Sequence, residues 1–220
     1  MKLIKLILVL MLFQFGLSYS SNLDYKAPSY YSMLKNSDLV IYSEIISKTD
    51  TTIILKIKET LKGELNTNTI EIEKFRDWPC ASRHHEYEIG QQQFNILQKL
   101  NDGSYIGMSA GNECELPVAL GYVYCKSLFN RESDYESQYG KIRGFRFDFN
   151  ESIEGLQRMI CMIETIESKK SDCEIFQLEP ATTIESMIIE EQIMRKRLKH
   201  QCKITKDYDF KVINQKEYWH

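Results

Sequence analysis

The sequence lacks several short motifs that mark common enzyme chemistries. It has no H-E-x-x-H zinc-binding pair, no P-loop and no Cys-x-x-Cys dithiol. These absences argue against zinc peptidases, P-loop nucleotide hydrolases and thioredoxin-like oxidoreductases. The small, polar run from Ser109 to Glu113 is typical of a turn after a strand. We therefore predict that the protein is not an enzyme and needs no cofactor.

An excess of basic residues is also missing. The chain has 28 Lys and Arg against 31 Asp and Glu, which gives a formal net charge of −3. Proteins that bind nucleic acid or anionic membranes through their charge present a basic surface, because they must neutralise phosphate groups. This charge balance therefore predicts no nucleic-acid partner.

The longest apolar run lies at the start of the chain and is too short to span a membrane. Lys2 and Lys5 form a positive start, and an apolar stretch over residues 6–15 follows. A membrane span takes about 20 apolar residues, whereas this stretch leads to small residues that suit cleavage after Ser20. Residues 1–20 therefore predict a cleaved signal peptide, a secreted or periplasmic protein, and no membrane span after cleavage.

Six cysteines follow the predicted cleavage site. An even number in an exported chain favours structural disulfides, although six cysteines allow about 15 pairings. Two local pairs, Cys114 with Cys125 and Cys161 with Cys173, would each close a loop of about ten residues. The spacing does not fit a zinc site, so we predict no metal. The disulfide candidates are Cys80, Cys114, Cys125, Cys161, Cys173 and Cys202.

The middle of the sequence has the period of half-buried strands. Ile53, Leu55 and Ile57, for example, alternate with Ile54 and with two lysines, Lys56 and Lys58. Alternation of this kind predicts a strand with one face in the core and the other in water. The predicted strands lie near residues 39–48, 53–58, 70–73, 93–97, 105–108 and 145–149.

The period changes to that of an amphipathic helix after Asn150. Apolar residues recur three and four positions apart over about 150–168 and again over about 183–200. Thr182 and Glu185 form a capping-box pattern at the start of the second of these helices. A strand-rich part is therefore followed by a part with two helices.

Three stretches carry a family resemblance. Residues 37–46 place an acidic residue before an apolar strand, and residues 53–63 form a strand that ends in Leu-Lys-Gly. Residues 87–97 run through a glycine into a further apolar strand. In this order and spacing, the chain resembles netrin/TIMP-like (NTR) modules over about residues 37–110.

The resemblance implies a mainly β fold with added helices. A five-stranded Greek-key barrel of the OB type would occupy residues 21–125, and a mixed extension with the two helices would occupy residues 126–220. The family's best-known activity does not carry over. Tissue inhibitors of metalloproteases chelate the protease zinc through a mature N-terminal cysteine, whereas this mature chain would begin at Ser21, and its first cysteine is Cys80.

A polar loop between the third and fourth predicted strands contains Trp78, Arg83, His84 and His85. Adjacent histidines in an extended segment point to opposite faces, so they do not readily share a metal ion. We therefore expect an exposed loop and not a metal site. Trp78 would give this loop an aromatic anchor of the kind found in interface hot spots, and the loop is our candidate for partner binding.

The sequence as a whole predicts an exported, non-catalytic binding or interaction module. Its partner would be an extracellular or envelope protein or glycan. Two alternatives stay open at this point. One is an inhibitor of extracellular hydrolases, which the family resemblance suggests. The other is a secreted enzyme whose site is assembled from residues that are distant in sequence.

Overall fold

A computed structural model describes most of the chain. The described residues are 27–78, 81–126, 133–168 and 180–198. The predicted signal peptide lies outside these ranges, as do Cys80, Cys173 and Cys202.

The described residues form nine strands and four helices. The strands are β1 Leu39–Lys48, β2 Thr52–Lys62, β3 Thr69–Glu73, β4 Gln92–Lys99, β5 Tyr105–Gly107, β6 Glu115–Ala119, β7 Tyr122–Cys125, β8 Ser133–Ser137 and β9 Gly140–Asp148. The helices are α1 Tyr30–Asn36, α2 Gly111–Cys114, α3 Phe149–Ser168 and α4 Thr183–Leu198.

Strands β1 to β5 close into a barrel. β1 lies between β2 and β4 and is antiparallel to both, β2 is antiparallel to β3, and β4 is antiparallel to β5. The barrel closes where β3 and β5 pair in parallel, at Ile72 and Tyr105. This order is that of a five-stranded OB-like barrel. The predicted fold class, mainly β with such a barrel and C-terminal helices, is confirmed.

The sheet continues beyond the barrel from β4. The first half of β4, from Gln92 to Asn95, pairs with β6, whereas the second half pairs with β5. From β6 the sheet runs through β7 and β9 to β8, always antiparallel. Because β7 pairs with β9, one sheet crosses residue 125, where the sequence predicted the barrel to end.

One half of the barrel interior is apolar. Leu39, Ile41 and Ile45 alternate along β1 and pack against Ile53 and Leu55 of β2, and all five are fully buried. Each such side chain contributes about 1.5–3 kcal/mol when it is removed from water. Since the outer face of β1 is also covered at Val40 and Tyr42, the first four residues of this strand form a continuous apolar run, as strands buried on both faces do.

Three helices cover the outer face of β1 and β4 and the neighbouring strands. Helices α1, α3 and α4 bury Met33, Leu156, Ile160 and Ile188 in one core with Phe94 of β4. Their apolar residues recur at the helical spacing that the sequence predicted. No helix in the described part of the chain is long and apolar enough to cross a lipid bilayer.

The predicted capping box is present at the start of α4. The amide of Thr182 donates to the Glu185 carboxylate at 2.7 Å, and the amide of Glu185 donates to the Thr182 hydroxyl at 3.4 Å. Glu185 is fully buried and also accepts a hydrogen bond from Arg158 of α3 at 2.9 Å. The cap therefore joins the two C-terminal helices as well as starting one of them.

The predicted local disulfide between Cys114 and Cys125 is not formed. Both are free thiols, as is Cys161. The β6–β7 hairpin pairs Val118 with Val123, and this register puts Leu116, not Cys114, opposite Cys125. Burial raises the pKa of both the Cys114 and the Cys125 thiol, so both stay protonated at neutral pH.

The turn after β2 provides a test of the barrel's packing. Gly63 has a φ of +81°, and a Cβ atom there would overlap the carbonyl oxygen of Asp38. Gly103 has a similar φ of +88° but no heavy atom within 4 Å of such a Cβ. We expect Gly103→Ala to cost only the backbone strain of about 1–2 kcal/mol and Gly63→Ala to cost at least about 1 kcal/mol more. Urea unfolding measures both, and equal losses would contradict this packing.

Candidate functional site

The candidate site is built around the connection between β3 and β4, which we call loop 74–91 and of which the structure describes residues 74–78 and 81–91. The Lys74 amide donates to the Thr51 carbonyl at 2.8 Å, so the loop leaves β3 beside the β1–β2 turn. At its other end, the Gly90 amide donates to the Ile45 carbonyl at 2.8 Å. Both ends of loop 74–91 are thus fastened to the same end of the barrel.

Arg83 of loop 74–91 points into the barrel and is only 8% exposed. Its Nε donates to Oε2 of Glu115 at 2.6 Å, and its Nη1 donates to the carbonyl of His85 at 2.6 Å. Its Nη2 donates to the side-chain oxygens of Gln93, at 2.8 Å, and Gln91, at 3.1 Å. A buried charge needs this many partners, because burial removes it from the solvent that would otherwise stabilise it.

The Glu115 carboxylate also has hydrogen-bond partners on both of its oxygens. Its Oε1 accepts a hydrogen bond from the Tyr87 hydroxyl at 2.7 Å, so both carboxylate oxygens are used. The Arg83 guanidinium lies over the Tyr87 ring, 3.7 Å from its centroid. Burial, with a further effect of the Glu115 charge, raises the pKa of Tyr87. The phenol therefore stays a donor, and it also accepts from the Phe75 amide at 2.9 Å.

The network continues through inward positions of β4 and β1. Gln93 donates to the Asn95 side-chain oxygen at 2.7 Å, and Asn95 donates to the Ser43 hydroxyl at 2.6 Å. All three residues are buried. The barrel interior thus has a polar half under loop 74–91 in addition to its apolar half.

His84 and His85 are in contact with one another and only partly exposed. Their rings meet edge to face with centroids 4.1 Å apart. Both ring nitrogens of His84 and Nε2 of His85 are buried and have no hydrogen-bond partner among the described residues. Burial, assisted by the Arg83 charge, lowers the pKa of His84 well below its usual value, and burial also lowers the pKa of His85. Both imidazoles are therefore neutral at pH 7.

The expectation of an exposed loop fits only part of this segment, because Asp77 and Trp78 are exposed whereas Arg83 is buried. Arg83 lies inside the barrel, so it cannot be a partner-binding surface residue. The two histidine rings contact each other, because the backbone here is not extended and successive side chains need not diverge. Trp78, which is 40% exposed, does lie at the surface.

The sequence analysis did not identify Glu115, Tyr87, Gln93 and Asn95 as members of the site. One signal was available: Gln93 and Asn95 alternate with Phe94 in a strand that both neighbours bury. No cluster of three or more His, Cys, Asp or Glu side chains in the described ranges could hold a metal ion.

Residues 107–111, Gly-Met-Ser-Ala-Gly, match the G-x-S-x-G pattern of the α/β-hydrolase nucleophile elbow. An elbow holds its serine on a strained turn from which the hydroxyl reaches a histidine. Here the Ser109 hydroxyl donates to the Glu113 carboxylate. Leu120 is the one non-glycine residue with a positive φ in the described part of the chain. The segment therefore lacks the backbone of an elbow.

Comparison with known proteins adds little to this geometry. No protein-family model matches the chain, and no curated protein matches it. A solved structure of a candidate RNA-binding protein of the exosome complex is similar to 67% of this chain and to 99% of its own, with 9% identity and a TM-score of 0.26. The assignment as an OB-like barrel rests on the strand pairings above, and no family model supports the finer netrin/TIMP-like resemblance.

The Arg83–Glu115 pair should be strongly coupled. Arg83→Met leaves the Glu115 carboxylate buried without its counter-charge, and we expect a loss of about 3–5 kcal/mol in unfolding free energy. Arg83→Met combined with Glu115→Leu should cost less than the sum of the two single changes, since no isolated charge remains. Chemical denaturation of the four proteins gives the coupling energy. Additive losses would show that the pair is not a buried unit.

Stability should also fall on acidification because of the two neutral histidines. Their folded pKa values lie below the unfolded value of about 6.5. The unfolded chain therefore binds more protons below pH 6.5, and stability falls there by up to about 1.4 kcal/mol per pH unit for His84 and by less for the more exposed His85. Between pH 7.5 and pH 5.5, the variant with His84→Gln and His85→Gln should lose less stability than the natural chain. Equal losses would contradict this assignment.

Proposed function

We propose that this protein is an exported, non-catalytic binding module that docks a protein partner through loop 74–91. Export is supported by the signal-peptide pattern over residues 1–20. A non-enzymatic role is favoured by a site in which the charged groups are committed to one another inside the barrel. The net charge of −3 favours a partner other than nucleic acid.

The observation that carries the proposal is an anchored loop with apolar side chains at the surface. Arg83 fastens the loop from within, while Trp78 and Ile89 are 40% and 63% exposed. Ile46 of β1, 39% exposed, follows the residue that pairs with Gly90. Exposed aromatic and aliphatic side chains on a rigid support suit an interface, because little conformational entropy is lost on binding.

A family placement belongs to the same proposal. The strand order of the barrel and the resemblance over residues 37–110 support a netrin/TIMP-like module. Such a module would use its barrel as a scaffold and its loops for recognition, which fold alone does not determine. Within the described ranges, loop 74–91 has both the anchoring and the exposed apolar side chains.

The test compares two surfaces on one protein. Trp78→Ala combined with Ile89→Ser changes the proposed surface, and Leu120→Ser is the control because Leu120 is 65% exposed in the β6–β7 turn. Each protein, at equal concentration, is crosslinked in the extracellular or periplasmic fluid of its source, and captured proteins are quantified by mass spectrometry.

We expect a defined set of captured proteins to be at least about tenfold less abundant with the double variant and unchanged with the control. The same losses with both variants, or with neither, would contradict a docking role for loop 74–91. A measured hydrolytic activity that Arg83→Met abolishes would contradict the non-catalytic part.

A further inference from the structure

A second feature with the composition of a binding surface lies on the extension of the sheet. In β7, Val123 and Cys125 face the helical core. Tyr122 and Tyr124 therefore face the other side of the sheet, where they join a separate small cluster. The pairing of β7 with β9 sets Arg146 opposite Tyr124 on this side.

Arg146 is held between two tyrosine rings. Its guanidinium carbon lies 4.8 Å from the ring centroid of Tyr122 and 5.0 Å from that of Tyr135 in β8. All three side chains are partly exposed. A third ring, that of Tyr124, lies 5.4 Å from Tyr135 and is buried beneath them. Cation–π contacts of this kind order the arginine without using its N–H groups.

Arg146 differs from three other arginines of the described chain in having no carboxylate partner. Arg83, Arg143 and Arg158 each contact an acidic side chain at 2.6–3.1 Å. Among the described residues, the Arg146 side chain makes no hydrogen bond and no ion pair, and the tyrosine rings are its neighbours. The partners of the other three are Glu115, Asp134 and Glu185.

The chemistry that fits such a guanidinium is a carboxylate. Arginine presents a planar fork of N–H donors that can bind both oxygens of a carboxylate at once. Because the tyrosine rings already order the Arg146 side chain, less conformational entropy is lost when the carboxylate binds. Tyrosine and arginine are also the residues most enriched in interface hot spots, together with tryptophan.

We propose that Arg146, Tyr122 and Tyr135 form a docking site for an acidic segment of a protein partner. An Asp or Glu side chain of that segment binds the Arg146 guanidinium, and its neighbours pack on the tyrosines. The net charge of the chain, −3, disfavours long polyanions such as nucleic acid. A short acidic segment needs only the Arg146 guanidinium as its counter-charge.

This site stands independently of the proposed role of loop 74–91, although the two are neighbours. The Tyr139 hydroxyl, in the β8–β9 turn, donates to the carbonyl of Gly90 at 2.9 Å. The β8–β9 hairpin, which carries Tyr135, therefore contacts loop 74–91. One partner could contact both surfaces, but each surface is tested with its own variants.

The test begins with a random peptide library selected on the immobilised mature protein. Affinities of the selected peptides are then measured by fluorescence anisotropy for the natural chain, Arg146→Gln and Arg143→Gln. Arg143 is the matched control, because it lies on the same strand, faces the opposite side of the sheet and is exposed beside Asp134. Far-UV circular dichroism checks that each variant is folded.

We expect the selected peptides to be rich in Asp and Glu. Arg146→Gln should weaken their binding at least about tenfold, which is about 1.4 kcal/mol, while Arg143→Gln leaves it unchanged. Arg146→Lys should give an intermediate loss, because lysine keeps the charge but not the fork.

Three results would overturn the proposal. One is a selection that yields no binders or binders without acidic residues. Another is an equal loss with Arg146→Gln and Arg143→Gln, which would show a general charge effect. The last is Arg146-dependent binding of an oligogalacturonate or a single-stranded DNA oligonucleotide that is tighter than that of the best peptide, which would assign the site to another ligand class.

Discussion

The buried contact between Arg83 and Glu115 is the constraint on which the polar half of this barrel depends. The side chain of each residue is only 4% exposed, and neither charge could be buried alone at a tolerable free energy. The two residues come from distant parts of the sequence, one from loop 74–91 and one from the strand after α2. Their contact fixes the position of loop 74–91 relative to the barrel. It also fixes the position of β6, where the sheet extension begins.

The division of the barrel interior follows from this contact. The apolar half, around Ile41 and Leu55, supplies burial energy of the ordinary kind. The polar half, with Gln93 and Asn95, contributes less net energy, because its hydrogen bonds replace bonds to water. Its contribution is to specify geometry: the donors of Arg83 are satisfied only when loop 74–91 is in place. Because the loop is held in this way, its apolar residues Trp78 and Ile89 stay exposed at the surface.

Parts of this structure could be predicted from sequence because they depend on local patterns. The alternation of Ile53, Leu55 and Ile57 located β2, and the Thr182–Glu185 pattern located the start of α4. The alternation reports which face of the strand is apolar, and the capping pattern reports where the helix begins. The closed order of the first five strands then followed from their similarity to a known arrangement, and the pairings bear it out.

The site could not be predicted in the same way. Arg83 looks like a surface residue in sequence, because its burial depends on Glu115, 32 residues further on. The histidines beside it were expected to diverge, and only the actual backbone brings their rings together. The stacking of Arg146 between Tyr122 and Tyr135 likewise depends on the register of three strands. Tertiary register carries no local signal in a single sequence.

Native-state hydrogen exchange of two loop amides tests the central claim most directly. The Phe75 amide donates to the Tyr87 hydroxyl, and the Arg83 amide donates to Asp77 at 2.8 Å. If the buried network anchors loop 74–91, both amides should exchange within about tenfold of the barrel amides in β1 and β4, because they open only with the barrel. Exchange at the rate of an unprotected loop would contradict the account.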